Sequence, residues 1–151
     1  MIAIKWLSLE MVQAIHDEAV YLFGGLGGVL EQSLLESAID KPRNKLAYEP
    51  ESTLFELAAT LGIGLARNHA FNDGNKRTAL LSTRAFLFLN GHDLEPQEED
   101  EVLIMIGVAT GDVSESQFAA WLGRNCTVEK AGGRGRTRAK KTAKSRARPK
   151  R

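Results

Sequence analysis

The 151-residue sequence predicts an all-α fold, a compact helical bundle of roughly six helices followed by a disordered basic tail. Apolar residues recur at three- and four-residue spacing in successive segments, the signature of amphipathic helices. Two Ser/Thr-x-x-Glu/Gln capping boxes open apolar runs. No stretch sustains the apolar–polar alternation of a strand, and no βαβ spacing occurs. A hydrophobic fraction of 43% is enough for one sizeable core, and the length fits a single domain.

The first helix spans Ser8 to Phe23, with Leu9, Val12, Ile15, Ala19 and Leu22 as its apolar stripe and Ser8 as its cap. Gly24-Gly25-Leu26-Gly27-Gly28 stops it, since four glycines in five positions make helix costly. A short helix follows from about Glu31 to Asp40, burying Leu34, Leu35, Ala38 and Ile39 and ended by Pro42. Arg43–Ser52 reads as a connection. Thr53-Leu54-Phe55-Glu56 is a capping box opening a helix to about Asn68. After a polar break, Lys76 to Leu89 is apolar nearly all round and is expected to be the central helix, ended by Gly91. Two further helices are expected over Glu98–Thr110 and Glu115–Gly123, the second opened by the Ser114–Gln117 capping box.

The net charge of +1 conceals a division. Residues 1–129 hold 9 basic and 19 acidic side chains, a net of −10, and form the expected helical domain. Residues 130–151 hold 11 basic and no acidic side chains and no large apolar residue, so they have nothing to bury. Such a polycation could attract nucleic acid without sequence preference, fold onto the acidic body, hold an acidic partner or be a solvated extension with no dedicated role; it lacks aromatic stacking residues. Cys126 is the single cysteine, which excludes an internal disulfide framework and a Cys-based metal cluster. Without a secretory signal pattern or an apolar run of membrane-spanning length, a soluble cytoplasmic protein is expected.

Chemistry concentrates in His69-Ala70-Phe71-Asn72-Asp73-Gly74-Asn75-Lys76-Arg77, a polar stretch between two apolar helices. His69 can take a proton near neutral pH. Asp73 suits a hard cation. Gly74 lets successive amides approach one another, and Asn75, Lys76 and Arg77 open the next helix, where free N–H groups and the dipole favour phosphate. A base, a metal carboxylate and an anion nest are the parts phosphoryl transfer needs. A solvated turn and a His69/Asp73 transition-metal pair are competing readings, the second short of ligands. Phe71 is read as a hydrophobic pin. His16 is read as structural or exposed, His92 as a helix-end cap, and Trp6, Trp121 and the phenylalanines as core.

His69 to Thr78 resembles the signature H-x-F-x-[D/N]-[A/G]-N-K-R of the death-on-curing (Doc) branch of the Fic/Doc family. Gly28-Val29, Leu34–Ala38 followed by Pro42, Leu54–Ala59, Leu87–Gly91 and Ala119–Leu122 resemble family segments too, so the likeness covers roughly residues 6–123. Ala70 replaces the common Pro, and Leu30 stands where a charged residue often follows the Gly-Val pair.

The resemblance implies a toxin kinase that uses ATP and Mg²⁺ to place the terminal phosphate of ATP on a threonine of elongation factor Tu, arresting translation. His69 would be the general base and Asp73 the Mg²⁺ ligand. Gly74, Asn75, Lys76 and Arg77 would hold and neutralise the phosphates. The larger Fic group has Gly in place of Lys76 and transfers AMP, which is the alternative activity. Fic enzymes often carry an inhibitory S/T-x-x-x-E-G/N motif. Ser52 and Glu56 have its spacing but Leu57 breaks it, so the resemblance implies no internal brake and instead a separate antitoxin. A noncatalytic helical module binding nucleic acid or a protein partner is the reading from another class.

Overall fold

The computed structural model describes residues 3–128. The expectations for the basic tail fall on residues 130–151, which lie outside that range. Among the described residues there are six helices: α1 (Leu9–Phe23), α2 (Gln32–Tyr48), α3 (Leu54–Asn68), α4 (Asn75–Leu89), α5 (Glu98–Thr110) and α6 (Glu115–Arg124). An antiparallel ribbon, β1 (His92–Leu94) and β2 (Cys126–Val128), pairs Asp93 with Thr127. Among the described residues no helix is long and apolar enough to cross a membrane.

The caps form as the side chains dictate. Ser8 Oγ accepts from Met11 N at 3.1 Å. Thr53 Oγ1 accepts from Glu56 N at 3.1 Å while Glu56 Oε1 accepts from Thr53 N at 2.8 Å. Ser114 and Gln117 repeat this exchange at 3.1 and 2.8 Å. Each box satisfies amides that the first helical turn leaves without partners.

Pro42 does not end the second helix; α2 continues through it to Tyr48. Proline removes the N–H that would bond to the carbonyl of Ala38 and costs about 3 kcal/mol inside a helix. Leu35, Ala38, Ile39 and Pro42 are all buried, and burying a Leu or Ile is worth about 1.5–3 kcal/mol each. That packing offsets the proline. Beyond it, Lys45 pairs with Glu49 at 3.1 Å and with Glu115 at 3.5 Å, tying the last turn of α2 to α6.

The central helix is α3 rather than α4. Its residues from Leu57 to Ala66 are buried without a break, enclosed by α2, α4, α5 and α6. In α4 only one face is enclosed, through Thr78, Ala79, Ser82, Thr83, Phe86 and Leu87, and Phe88 is exposed. Small residues make the enclosure of α3 feasible. A Cβ on Gly64 would stand 3.2 Å from Ala38 Cβ, and one on Gly62 would stand 2.5 Å from Thr83 Oγ1 and 2.9 Å from the Phe118 ring.

His92 is a strand residue rather than a helix cap, and it meets Phe55 edge-on at 5.0 Å between ring centroids. Three-residue strands are too short to show an alternating pattern, which is why the sequence predicts none. Burial raises the Cys126 thiol to a pKa of about 11, with Asp93 adding to the shift, so it is a protonated packing group at neutral pH. Most aromatics are core or packed against it, as expected, but Phe23 and Phe88 are exposed.

Helix propensity alone predicts that Gly62→Ala stabilises the chain. The contacts with Thr83 and Phe118 predict the opposite, a loss of about 1–3 kcal/mol in urea unfolding; unchanged or greater stability would contradict the packing of α3.

Candidate active site

The polar segment links the end of α3 to the start of α4. His69 caps α3 in the left-handed region (φ 52°, ψ 47°), the one non-glycine with positive φ among the described residues. A non-glycine residue held there is under local strain. That turn leaves the His69 side chain exposed while Ala70 and Phe71 go inward to 1% and 2% exposure.

Phe71 is held on three sides. Its N–H donates to Asn75 Oδ1 at 3.1 Å and its carbonyl accepts from Asn75 Nδ2 at 3.0 Å. Its ring lies on that of His16, centroids 3.8 Å apart and planes 8° from parallel. Its backbone forms an isolated antiparallel bridge with Val29. The glycine-rich connection therefore lies along the segment as a short ladder. Leu30 N and Glu31 N donate to Ala70 O at 2.8 and 3.1 Å, and Asn72 N donates to Gly28 O at 3.3 Å.

Glycine is required at two points of this ladder. At Gly28 φ is +103° and a Cβ would stand 3.3 Å from Asn72 Nδ2. At Gly25 φ is +115° and a Cβ would stand 3.2 Å from Asp73 Oδ2. Both positions combine a conformation that L side chains rarely adopt with a close approach to the polar segment.

Asp73 is exposed, its Oδ2 accepting from Leu26 N at 3.3 Å and its carbonyl accepting from His16 Nε2 at 2.7 Å. Gly74, at φ 76° and ψ 22°, is the N-cap of α4 and supplies no side-chain cap. Thr78 N donates to Gly74 O at 2.9 Å, so the amides of Asn75, Lys76 and Arg77 precede the first bond of the helix. No acidic residue sits in that first turn, and Lys76 and Arg77 are exposed. Uncapped amides, the positive dipole end and two cations make an anion site. The Arg77 guanidinium lies 4.1 Å from the centroid of the Phe23 ring, a cation–π contact that holds the side chain beside the helix start. Asn75 brings its backbone amide to this end, its side chain being engaged with Phe71.

A cavity of about 390 Å³ adjoins the anion site, lined by Phe23, Lys76, Arg77, Leu80, Leu81, Glu98, Glu101, Val102, Met105 and Ile106. Glu101 pairs with Arg84, yet burial holds its carboxyl above the usual range, the guanidinium opposing the shift. Among the described residues no three His, Cys, Asp or Glu side chains group to hold a metal ion. One exposed carboxylate beside an anion site is a donor set that fits Mg²⁺, which keeps several waters and takes other ligands from bound phosphates.

The structure thus sets His69, Asp73, Gly74, Asn75, Lys76 and Arg77 along the one segment from the end of α3 to the start of α4, with His69, Asp73, Lys76 and Arg77 exposed, and of these only Lys76 and Arg77 line the cavity. The sequence reads His16 only as structural or exposed and Phe23 only as core, neither as part of the site. A signal for His16 exists, since the three buried residues of α1 are Val12, His16 and Ala19, spaced at four and three. Phe23, the exposed last residue of α1, has none.

Residues 6–87 match the sequence model of the Fic/DOC family. The chain is 38% identical over 122 residues to "Protein kinase doc" of Escherichia phage P1, covering 80% of this chain and 94% of that relative. It is also 38% identical over 106 residues to "Toxin Doc" of Mycolicibacterium smegmatis (strain ATCC 700084 / mc(2)155), covering 66% of this chain and 79% of that relative.

Removing the Asn75 side chain leaves the Phe71 peptide with two polar groups deprived of partners. Asn75→Ala is expected to cost about 1–3 kcal/mol in urea unfolding and to speed amide exchange at Phe71. Unchanged stability and exchange would show that the side chain does not anchor the segment.

Proposed function

The chain belongs to the Fic/Doc family, on its Doc branch, and from that membership we propose a toxin kinase that moves the terminal phosphate of ATP to a serine or threonine hydroxyl of a translation factor. Elongation factor Tu is the expected target, and arrest of translation in the cytoplasm the expected outcome. One juxtaposition carries the reading: an exposed imidazole, His69, on the same short segment as the uncapped, doubly cationic start of α4.

In this reading His69 takes the proton of the target hydroxyl as its oxygen bonds to the γ-phosphorus of ATP. The bond from that phosphorus to the bridging oxygen breaks, and ADP leaves with the electron pair. The amides from Gly74 onward, with Lys76 and Arg77, hold the phosphates and take up charge as it shifts to the leaving group. Asp73 would hold Mg²⁺, which when bound supplies charge neutralisation between adjacent phosphates. The carboxylate is within reach of water, and its neighbour Leu26 N is the one partner it would have to share.

Lys76 decides which phosphate is presented. A long cationic side chain fills space that the Gly of AMP-transferring relatives leaves open, which favours the terminal phosphate over the first. Control then falls to a separate antitoxin. The cavity beside Lys76 and Arg77, walled by Leu80, Val102, Met105 and Ile106, suits the apolar face of a partner helix. An occupant there would also cover the two cations.

The direct test is intact-mass spectrometry of elongation factor Tu after incubation with the protein, Mg²⁺ and ATP. The expected gain is one phosphate, about 80 Da, on the target. His69→Ala is expected to slow transfer by about 10²–10⁴-fold, and removal of residues 130–151 to leave it intact. Gain of a whole nucleotide would overturn the role of Lys76. Loss of activity on truncation alone, with His69→Ala fully active, would favour a binding module working through its tail.

A further inference from the structure

We propose that His16 is a positioning residue of the transfer site, acting through a hydrogen bond from its Nε2–H to the Asp73 carbonyl. The proposal rests on the phosphoryl-transfer reading of the segment.

His16 is 1% exposed on α1 and belongs to none of the groups that face substrate. Its Nε2 lies 2.7 Å from Asp73 O. A carbonyl oxygen can only accept, so Nε2 carries the proton of this hydrogen bond, while Nδ1 faces the exposed Asp17 carboxylate, 4.0 Å away. The ring is fixed in its plane by the stack on Phe71, so the direction of the Nε2–H bond is fixed too. One side chain therefore grips the segment twice, at the Phe71 ring and at the Asp73 carbonyl.

The second grip reaches the chemistry through the peptide plane. The C=O of Asp73 and the N–H of Gly74 belong to one planar trans unit and point in opposite directions. Drawing the carbonyl inward to a buried imidazole turns the Gly74 N–H away from the core. That places it with the amides of Asn75, Lys76 and Arg77 as donors for an anion. Gly74 lies close to the ring, since a Cβ there would stand 3.7 Å from Nε2, and its φ of +76° requires that this plane hold its orientation. The same constraint sets where the Asp73 side chain leaves the backbone, hence where its carboxylate stands. Released from His16, the Asp73–Gly74 peptide can rotate, and both groups lose their aim together.

Two substitutions separate the hydrogen bond from the packing. His16→Phe keeps a flat ring against Phe71 and removes the donor. His16→Gln removes the ring and keeps an N–H near the place of Nε2. Phosphate transfer, ATP KM and melting temperature are measured for both beside the full-length wild-type protein. The proposal expects His16→Phe to lose about 10- to 100-fold in rate, chiefly in kcat, because misplacement of a reacting group by about 1 Å has that scale of effect. His16→Gln should recover most of that loss even if it melts lower. Wild-type transfer by His16→Phe, or equal impairment of the two variants, overturns it.

The proton on the ring gives a readout independent of transfer and of any variant's folding. Long-range ¹H–¹⁵N correlation of the wild-type imidazole is expected to place it on Nε2. A proton on Nδ1 alone would overturn the contact. A wild-type protein that shows Nε2–H but moves no phosphate to any hydroxyl would refute the kinase reading and leave the contact standing.

Discussion

The site depends on keeping Phe71 inside. It is the one large apolar side chain in a segment otherwise made of groups that seek water, and burying it commits the residues on either side. With Phe71 at 2% exposure, His69 must turn through a left-handed conformation to leave α3, and Asn72 and Asp73 must emerge on the far side. The aromatic ring is worth about as much as any core side chain, and its backbone polar groups would cost more than that if left bare. Asn75 removes that cost by bonding both groups, while the ladder beside Val29 and the stack on His16 hold the segment and the ring in place. Each serves the anchor first, and the surface array of His69, Asp73 and the α4 amides follows from it.

Rigid placement of the anchor comes from α3. A helix buried along ten consecutive residues has little freedom to shift, and its glycines let α2 and α4 approach until backbone meets side chain. The start of α4 is thereby fixed against the end of α3. α1 contributes through its last two turns, where His16 supports the loop from beneath and Phe23 supports Arg77 from the side. The electrostatics add contrast. Residues 1–129 carry a net of −10, from 9 basic and 19 acidic side chains, and against that acidic body Lys76 and Arg77 place two exposed cations at the helix start.

Where local chemistry settles the outcome, the sequence was legible. The caps at Ser8, Thr53 and Ser114 declare themselves because the partner lies three residues away. The segment 69–77 stands out because polar groups interrupt two apolar helices, and Phe71 within it reads as a pin. Tertiary packing overrode local preference elsewhere. Pro42 is a stop signal that burial of its own turn overcomes, and α3 rather than α4 takes the centre because its Ala and Gly positions let the neighbouring helices approach, which its own apolar pattern does not announce. The glycine-rich connection shows only that a loop exists; its pairing with Ala70 and Asn72 involves residues about forty positions away. His16 lies on the buried stripe, yet nothing near it in the chain reveals that its partner is a carbonyl 57 residues on.

The central claim is that the start of α4 is a built site for the phosphates of a nucleotide. Titration of the ¹⁵N-labelled protein with ATP and Mg²⁺, followed by amide resonances, tests it most directly. The largest shifts are expected on Gly74, Asn75, Lys76 and Arg77, with Asp73 moving beside them and the α2–α6 end of the bundle unmoved. Binding that leaves those four amides in place, or no binding at millimolar nucleotide, would contradict it.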